Sequence, residues 1–185
     1  MRVIAGKYRG RKLRSPPSIQ TRPTSDRLRE TLFNILAPRI EGSRFLDLCA
    51  GSGAVGIEAL SRGAARVIFV DRSRKMSALV TANVDSLEVT ETKIEIVATE
   101  ASEFLRRHCK HQAEPFDIIF FDPPYAEDYE GVLGFIGEHA AEILQADGIV
   151  IVEHQKKKLL SDEPPMKRYR ELKQGDSVLS FFRVA

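Results

Sequence analysis

The tetrapeptide Asp122-Pro123-Pro124-Tyr125 has the residue types best suited to chemistry in this chain. It directly follows the apolar run 116–121, which is short and rich in β-branched and aromatic residues and is therefore typical of a buried parallel strand. Open α/β sheets bind ligands at the carboxyl ends of their strands. Because prolines donate no N–H, the tetrapeptide offers backbone carbonyls, a carboxylate and an aromatic ring. We predict that Asp122, Pro123 and Tyr125 are catalytic and act on a planar group bearing an NH2; the alternative is a simple strand-ending turn.

A glycine-rich loop is the second candidate site. Gly51-Ser52-Gly53-Ala54-Val55-Gly56 matches the dinucleotide-binding pattern, and Asp71 follows Gly51 by 20 residues, so NAD must be considered. Asp47, however, puts a carboxylate just before the loop, where it would repel a pyrophosphate and attract the cationic groups of S-adenosylmethionine. At roughly 4 Å and an effective dielectric near 20, unlike charges gain about 4 kcal/mol. The loop therefore favours S-adenosylmethionine, with Asp71 on the ribose hydroxyls.

Three further residues are candidates for roles at the cofactor site. Glu100 and Ala101 follow the third predicted strand and are placed to meet the adenine edge, although Glu100 fits equally well as an acidic residue at a helix N-terminus. Cys49 lies in the cofactor loop without a neighbouring base, which argues against a covalent cysteine mechanism.

Charge is unevenly distributed along the chain. The net charge of the 185 residues is only +2, yet residues 1–22 contain seven basic side chains and no acidic one. Such a basic segment suits phosphate, and we predict a nucleic-acid-binding face rather than a solvated tail. Its glycines and tyrosine indicate a hairpin turn that presents cations. The predicted RNA-binding residues are Arg2, Lys7, Arg9, Arg11, Lys12, Arg14 and Arg27. Residues 156–158 are three lysines, either a solvated loop or a second RNA contact.

Composition excludes several classes of protein. The length fits one domain, with residues 1–22 as a basic arm and 23–185 as the catalytic part. No apolar stretch has membrane-spanning length and no signal peptide is evident, so we predict a cytoplasmic protein. The two cysteines fit such a reduced compartment. Cys49 and Cys109 form no CxxC pair and the histidines show no convincing ligand spacing, so we predict neither a disulfide framework nor a metal site.

Alternating strand and helix patterns must position these groups. They predict a doubly wound α/β sheet with right-handed crossovers. We expect short strands near 2–5 and 11–14, a first helix capped by Thr24 or Ser25 that ends before Pro38, and one long helix over 129–144. The tail is expected to add an antiparallel pair, 168–172 and 178–184, at the sheet edge.

Taken together, the segments 47–53, Asp71 and 122–125 resemble the motifs of class I amino-methyltransferases. The stretches 2–13 and 21–34 are more selective, and with the glycine loop they resemble the RsmD family, which methylates N2 of a guanine in bacterial 16S ribosomal RNA. The resemblance spans nearly the whole chain. It implies a Rossmann-like class I methyltransferase fold, in which a seven-stranded mixed sheet has an antiparallel last strand, plus a small N-terminal β-hairpin.

The resemblance also implies site residues and partners. The segment 22–24 would help to cover the methionine end of the cofactor, whereas Glu100-Ala101 departs from the Asp or Asn common in related enzymes. The cofactor-binding residues we predict are Asp47, Ala50, Gly51, Gly53, Asp71, Arg72, Glu100, Ala101, Asp122, Arg22 and Thr24. The predicted partner is 16S ribosomal RNA or the 30S subunit, bound by a monomer. The alternatives are an adenine-N6 methyltransferase on RNA or DNA, a protein glutamine methyltransferase and a non-catalytic RNA-binding assembly factor.

Overall fold

A central seven-stranded sheet organises the protein, as seen in a computed structural model that describes residues 1–16, 24–89, 93–124, 128–158, 160–162 and 165–185. The strands are β1 Arg44–Leu48, β2 Arg66–Asp71, β3 Lys93–Ala98, β4 Phe116–Phe121, β5 Leu144–Gln155, β6 Met166–Gln174 and β7 Ser177–Val184. Their spatial order is β3-β2-β1-β4-β5-β7-β6. The first five strands are parallel, and β7 runs antiparallel to both of its neighbours. The predicted mixed sheet with a reversed last strand is confirmed.

Helices cover both faces of the sheet. They are α1 Asp26–Ile40, α2 Ala54–Ser61, α3 Arg74–Asp85, α4 Ala101–Lys110, α5 Tyr129–Glu138 and α6 Ala140–Ile143. One apolar core lies between the sheet and α1 to α3, and a second lies between the sheet and α4 to α6. The central strands are buried on both faces, as continuous apolar runs such as Phe116–Phe121 require. The carboxyl ends of β1, β2, β4 and β5 therefore meet at one edge of a rigid three-layer body.

The N-terminal segment folds back on itself without forming strands. Its antiparallel pairing is an isolated bridge between Arg2 and Lys12, so the two predicted short strands, and with them the β-hairpin, are not confirmed. Val3 and Leu13 are buried in the first core. The turn between them uses Gly6, which has a φ of 80° and approaches Ser61 so closely that a Cβ would overlap its carbonyl oxygen. Backbone hydrogen bonds from Val3 to Arg11, from Gly10 to Val3 and from Leu13 to Met1 join the two limbs of the segment, and tertiary contacts hold it against the body.

A buried carboxylate ties this segment to the body. Both oxygens of Glu58 on α2 accept backbone N–H groups, from Ile4 at 2.8 Å and from Ala5 at 3.0 Å. Glu58 is fully buried and lies 3.8 Å from the guanidinium of Arg29, which is also fully buried and donates to the carbonyl of Arg2 at 2.6 Å. Arg29 therefore has a structural role.

Two helix expectations were wrong. Helix α1 runs through Pro38 to Ile40 instead of ending before the proline, because a proline in the last turn interrupts only one backbone hydrogen bond near an end that is already open. The long helix expected over 129–144 is broken at His139, where α5 stops and the short α6 begins, and Leu144 already belongs to β5. Ser25 caps α1 as expected, accepting from the N–H of Leu28 at 3.1 Å. Within the described ranges, no helix has the length and apolar character needed to cross a membrane.

Candidate active site

A cavity of about 960 Å³ opens at the carboxyl edge of the parallel strands. It brings together residues that are far apart in the chain, as the crossover connections of such a sheet require. Among the predicted site residues, its lining includes Asp47, Ala50, Gly51, Asp71, Arg72, Glu100, Ala101, Asp122, Pro123 and Thr24. Gly53 lies beside them as the N-cap of α2. Arg22 and Tyr125 lie outside the described residues.

The loop between β1 and α2 has an unusual backbone. Cys49, Gly51 and Gly53 all have φ between 55° and 76°, in the left-handed region that favours glycine. At Gly53 a Cβ would come within 3.1 Å of Val80. A Cβ on Gly56, one turn into α2, would lie only 2.3 Å from the ring of Phe69 and 3.0 Å from Asp47. The glycines therefore let α2 pack closely on the sheet and point its N-terminus at the cavity.

Asp47 forms the inner floor of the cavity. It is only 2% exposed, and its Oδ2 accepts the N–H of Gly56 at 2.8 Å. The pKa of Asp47 is raised to about 7, chiefly by burial and also by the charge of Asp71, while the Gly56 hydrogen bond opposes both. Among the described residues, no lysine or arginine pairs with this carboxylate. Its ionised form is costly unless a cation arrives from the cavity.

Asp71 closes the loop from the neighbouring strand. Its Oδ2 accepts the N–H of Gly51 at 2.9 Å and its Oδ1 accepts the N–H of Ser73 at 2.8 Å. The side chain thus fixes the loop in addition to facing the cavity, a role that the spacing alone did not predict. Further lone pairs on both oxygens can still accept hydroxyl donors from within the cavity.

Asp122 and Pro123 directly follow β4 and form the outer part of the cavity floor. The N–H of Asp122 donates to the carbonyl of Leu48 at 3.3 Å, which continues the β1–β4 pairing past the strand end. The carbonyl of Pro123 accepts from the hydroxyl of the buried Tyr129 at 3.2 Å, which fixes the direction of its second lone pair. Burial first, and then the charges of Glu153 and Asp47, raise the pKa of Asp122 well above its ordinary value.

Glu153 is a site residue that the sequence reasoning missed. It lies near the end of β5, is 7% exposed, lines the cavity and accepts from the hydroxyl of Thr24 at 2.6 Å. The hydrogen bond ties the start of α1 to the sheet edge. A signal was available in the sequence, because Glu153 directly follows the apolar run 149–152 just as Asp122 follows the apolar run 116–121.

Arg72, Glu100 and Ala101 form one side wall. They line the main cavity and also a neighbouring cavity of about 430 Å³ between the N-terminal ends of α4 and α5. Glu100 is the N-cap of α4 but makes no side-chain cap hydrogen bond. This position leaves open both of its predicted roles, the adenine contact and the acidic residue at a helix start.

The predicted RNA-binding residues are all on the surface. Arg2, Lys7, Arg9, Arg11, Lys12, Arg14 and Arg27 are exposed. Arg11 reaches across to the backbone carbonyl of Ser86, so the arm lies over α3. Lys156 and Lys157 are exposed and line the cavity mouth. Two exposed lysines therefore lie at the mouth of a cavity whose floor is acidic.

One group of potential metal ligands lies elsewhere in the described structure. Cys109, His139 and Glu142 place one ligand atom each within 4.8 Å of one another, although the sequence spacing predicted no metal site. Burial, with Glu142 adding to it, raises the pKa of Cys109 to about 11, so the thiol is protonated at neutral pH and is a poor metal ligand in that form.

A mixed sheet with a reversed last strand, a glycine loop followed by a carboxylate, and a Pro-Pro turn at the end of β4 together define a Rossmann-like class I methyltransferase. The chain belongs to the RsmD family: the family model described as Conserved hypothetical protein 95 matches residues 1–183. Ribosomal RNA small subunit methyltransferase D of Haemophilus influenzae is 37% identical over 162 residues, covering 86% of this chain and 81% of that protein. YlbH of Bacillus subtilis is 41% identical over 157 residues, covering 84% of this chain and 83% of that protein.

A solved structure agrees with this assignment. The Escherichia coli protein yhhF superimposes with a TM-score of 0.83 at 32% sequence identity, covering 100% of this chain and 97% of that chain. The similarity therefore extends over both the arm and the sheet.

Proposed function

We propose that the protein transfers a methyl group from S-adenosylmethionine to the exocyclic N2 amine of a guanine in 16S ribosomal RNA. The observation that carries the proposal is the acidic cavity floor, where the buried carboxylate of Asp47 and the half-buried carboxylate of Asp122 both have a raised pKa and would be stabilised by a cation. The relative from Haemophilus influenzae is named for methylation of small-subunit ribosomal RNA, which supports the substrate class. We further propose that it acts as a monomer in the bacterial cytoplasm on the assembled or assembling small subunit.

The residues present fit this cofactor. The raised pKa of Asp47 means that a positive charge in the cavity would be stabilised by ionising that carboxylate. Asp71 would meet the ribose hydroxyls, while Arg72, Glu100 and Ala101 would line the adenine end. A pyrophosphate would instead face three carboxylates, Asp47, Asp71 and Asp122, which disfavours NAD. When bound, S-adenosylmethionine supplies an electrophilic methyl group on a sulfonium.

The Asp122-Pro123 corner would prepare the amine. The amine lone pair of guanine is delocalised into the base, so accepting hydrogen bonds from its two N–H groups favours a localised pair. The Asp122 carboxylate and the Pro123 carbonyl are the two acceptors we assign, and Tyr129 holds the second of them in place. Positioning and fixed electrostatics supply most of the acceleration in this scheme. Tyr125, the predicted stacking face, would contribute roughly 1–3 kcal/mol to binding of the target base.

The basic arm would bring the RNA to this corner. Residues 1–16 carry six of the exposed cations, and the buried contacts of Val3, Leu13 and Glu58 support the proposal that the arm belongs to the same domain as residues 23–185. Lys156 and Lys157 at the cavity mouth add positive charge next to the proposed base site. A paired target guanine would have to be flipped out before it could reach Asp122.

The direct test is methyl transfer from labelled S-adenosylmethionine to unmethylated small subunits and to naked 16S RNA, followed by nucleoside analysis and mapping of the modified nucleotide. We expect N2-methylguanine at one position. Recovery of N6-methyladenine would favour the adenine alternative, and the absence of transfer to any RNA, with RNA binding retained, would favour an assembly factor.

Asp122→Ala is the matching variant. We expect turnover to fall by at least about a hundredfold, because the amine loses its principal acceptor. Cofactor affinity measured by calorimetry should fall much less, because Asp47 still faces the cationic group. Asp128→Ala is the control, since this exposed carboxylate caps α5 at 2.8 Å from the N–H of Gly131 and is not among the residues that line the main cavity. Near-normal activity of Asp122→Ala would contradict the assigned role.

A further inference from the structure

The Pro-Pro corner does not by itself distinguish guanine from adenine, since both present an exocyclic NH2. A guanine differs in the atom next to that amine: its ring N1 carries a hydrogen, whereas the ring N1 of adenine is a bare acceptor. A site specific for guanine therefore needs one more hydrogen-bond acceptor in line with the amine acceptors.

We propose that Glu153 is this acceptor and determines guanine specificity by accepting the N1–H of the target base, an inference that rests on the function proposed above. The residue lies on the strand next to Asp122, lines the same cavity and is nearly buried.

The strand register supports this arrangement. In the parallel β4–β5 pair, Phe121 lies opposite Val152, so Asp122 and Glu153 are the next residues of adjacent strands. Phe121 and Val152 belong to the core under α4 to α6. Because side chains alternate along a strand, Asp122 and Glu153 both project to the other face, the side of the glycine loop.

The spacing of adjacent strands fits the edge of a base. Neighbouring strands lie about 4.8 Å apart, so two carboxylates one strand apart can meet adjacent donors on one flat edge. The three donors of a guanine edge, two on the amine and one on N1, then face three acceptors: the Pro123 carbonyl, Asp122 and Glu153. The charge of Glu153 also contributes to the raised pKa of Asp122, which indicates that the two carboxylates are close.

Thr24 orients this carboxylate. Its hydroxyl donates to Oε2 of Glu153 at 2.6 Å, and both side chains are less than 10% exposed. This contact suggests a competing, purely structural role in which Glu153 only anchors the start of α1. The experiment must separate base recognition from anchoring.

The test uses two 16S RNAs, each ligated around a synthetic segment and reconstituted into small subunits. One carries guanine at the position mapped for the wild-type enzyme, and the other carries 2-aminopurine, which keeps the amine but has a bare N1. We expect the wild-type protein to prefer guanine in kcat/KM by about tenfold to a hundredfold, because a buried carboxylate would otherwise face another acceptor.

Glu153→Gln should reduce that preference at least about tenfold, since the glutamine amide can donate to the bare N1. Thr24→Val serves as the comparison: if Glu153 reads the base, this variant keeps the carboxylate and should lose clearly less of the guanine preference than Glu153→Gln, while the KM for the cofactor rises with both RNAs. For a variant with low turnover, the ratio of the dissociation constants of the two RNAs measures the guanine preference instead.

An unchanged guanine preference in Glu153→Gln would overturn the proposal, and so would an equal loss of preference in Thr24→Val. Both results are distinct from failure of the proposed function, which would appear as absence of guanine methylation by the wild-type protein in the mapping experiment.

Discussion

Replacing Asp47 by asparagine should make the protein more stable at neutral pH while impairing its function. The pKa of Asp47 is about 7 against an ordinary value of 3.8. Between these values the folded state retains a proton that the unfolded state releases, so the stability of the wild-type protein falls as pH rises from about 4 to 7. Asparagine still has a side-chain oxygen that can accept the N–H of Gly56, but its side chain does not ionise.

The expected size follows from the pKa. One pKa unit is worth about 1.4 kcal/mol, so between pH 5 and pH 8 the free energy of unfolding of Asp47→Asn should rise relative to the wild type by about 3 kcal/mol. The charge of Asp47 also helps to raise the pKa of Asp122, and its removal acts in the same direction. Urea unfolding of both proteins at several pH values gives this difference directly.

The same change should abolish the pH dependence of cofactor binding. If S-adenosylmethionine requires the ionised carboxylate, wild-type affinity should fall about tenfold per pH unit below pH 7. Asp47→Asn should bind weakly at every pH, and calorimetric titrations from pH 5.5 to pH 8.5 would detect the difference.

Asp147→Asn is the control, because that side chain is exposed and should leave the pH dependence of unfolding unchanged. Parallel stability curves for wild type and Asp47→Asn would refute the claim that burial raises the pKa of Asp47. A cofactor affinity that does not change with pH in the wild type would refute its link to a cation.

Three further outcomes are expected. Replacing Arg9 and Arg11 together by alanine should weaken RNA binding and lower the slope of log K against log salt by about 1–2, measured by filter binding. Gly56→Ala should cost about 1–3 kcal/mol in urea unfolding, because its Cβ would overlap the ring of Phe69. Glu58→Ala should cost about 3–5 kcal/mol, because it takes the buried carboxylate away from Arg29, which keeps Asp26, and leaves the N–H groups of Ile4 and Ala5 without their acceptor. It should also expose the arm to limited proteolysis.

Each of these variants has a matched control. Arg107 and Lys110, exposed on α4, should be replaceable by alanine together with an unchanged salt slope. Gly134→Ala has nothing within 4 Å of the new Cβ and should be neutral or stabilising. Glu103→Ala removes an exposed helical ion pair and should cost less than about 1 kcal/mol. Equal effects in variant and control would contradict the corresponding reasoning.

The sequence predicted the elements that depend on local pattern. Continuous apolar runs such as 116–121 gave β4 with its observed bounds, and the serine before Asp26 gave the cap of α1. The carboxylates Asp47, Asp71 and Asp122, at the carboxyl ends of β1, β2 and β4, were correctly placed at one edge of the sheet, because the carboxyl ends of parallel strands lie at the same edge.

The remaining features depend on tertiary contacts. The break at His139 is invisible in an apolar stripe that continues on both sides of it, and Pro38 is tolerated because it falls in the last helical turn. Glu58 looks anomalous within the apolar segment of α2, but only the folded chain reveals that its oxygens receive the backbone of Ile4 and Ala5. Glu153 follows an apolar run in the sequence, but only the register of β4 against β5 shows that it lies beside Asp122.

The docked arm also has a consequence for protein synthesis. Its first residues are held by groups that are translated much later, Glu58 and Ser61 on α2 and Asn83 on α3. The arm therefore cannot reach its final position until Asn83, 69 residues after Arg14, has been made. We expect its docking to be a late step in folding, since contacts between distant residues pay the largest loop-closure entropy. Until then this basic segment lacks the groups that hold it in the folded protein.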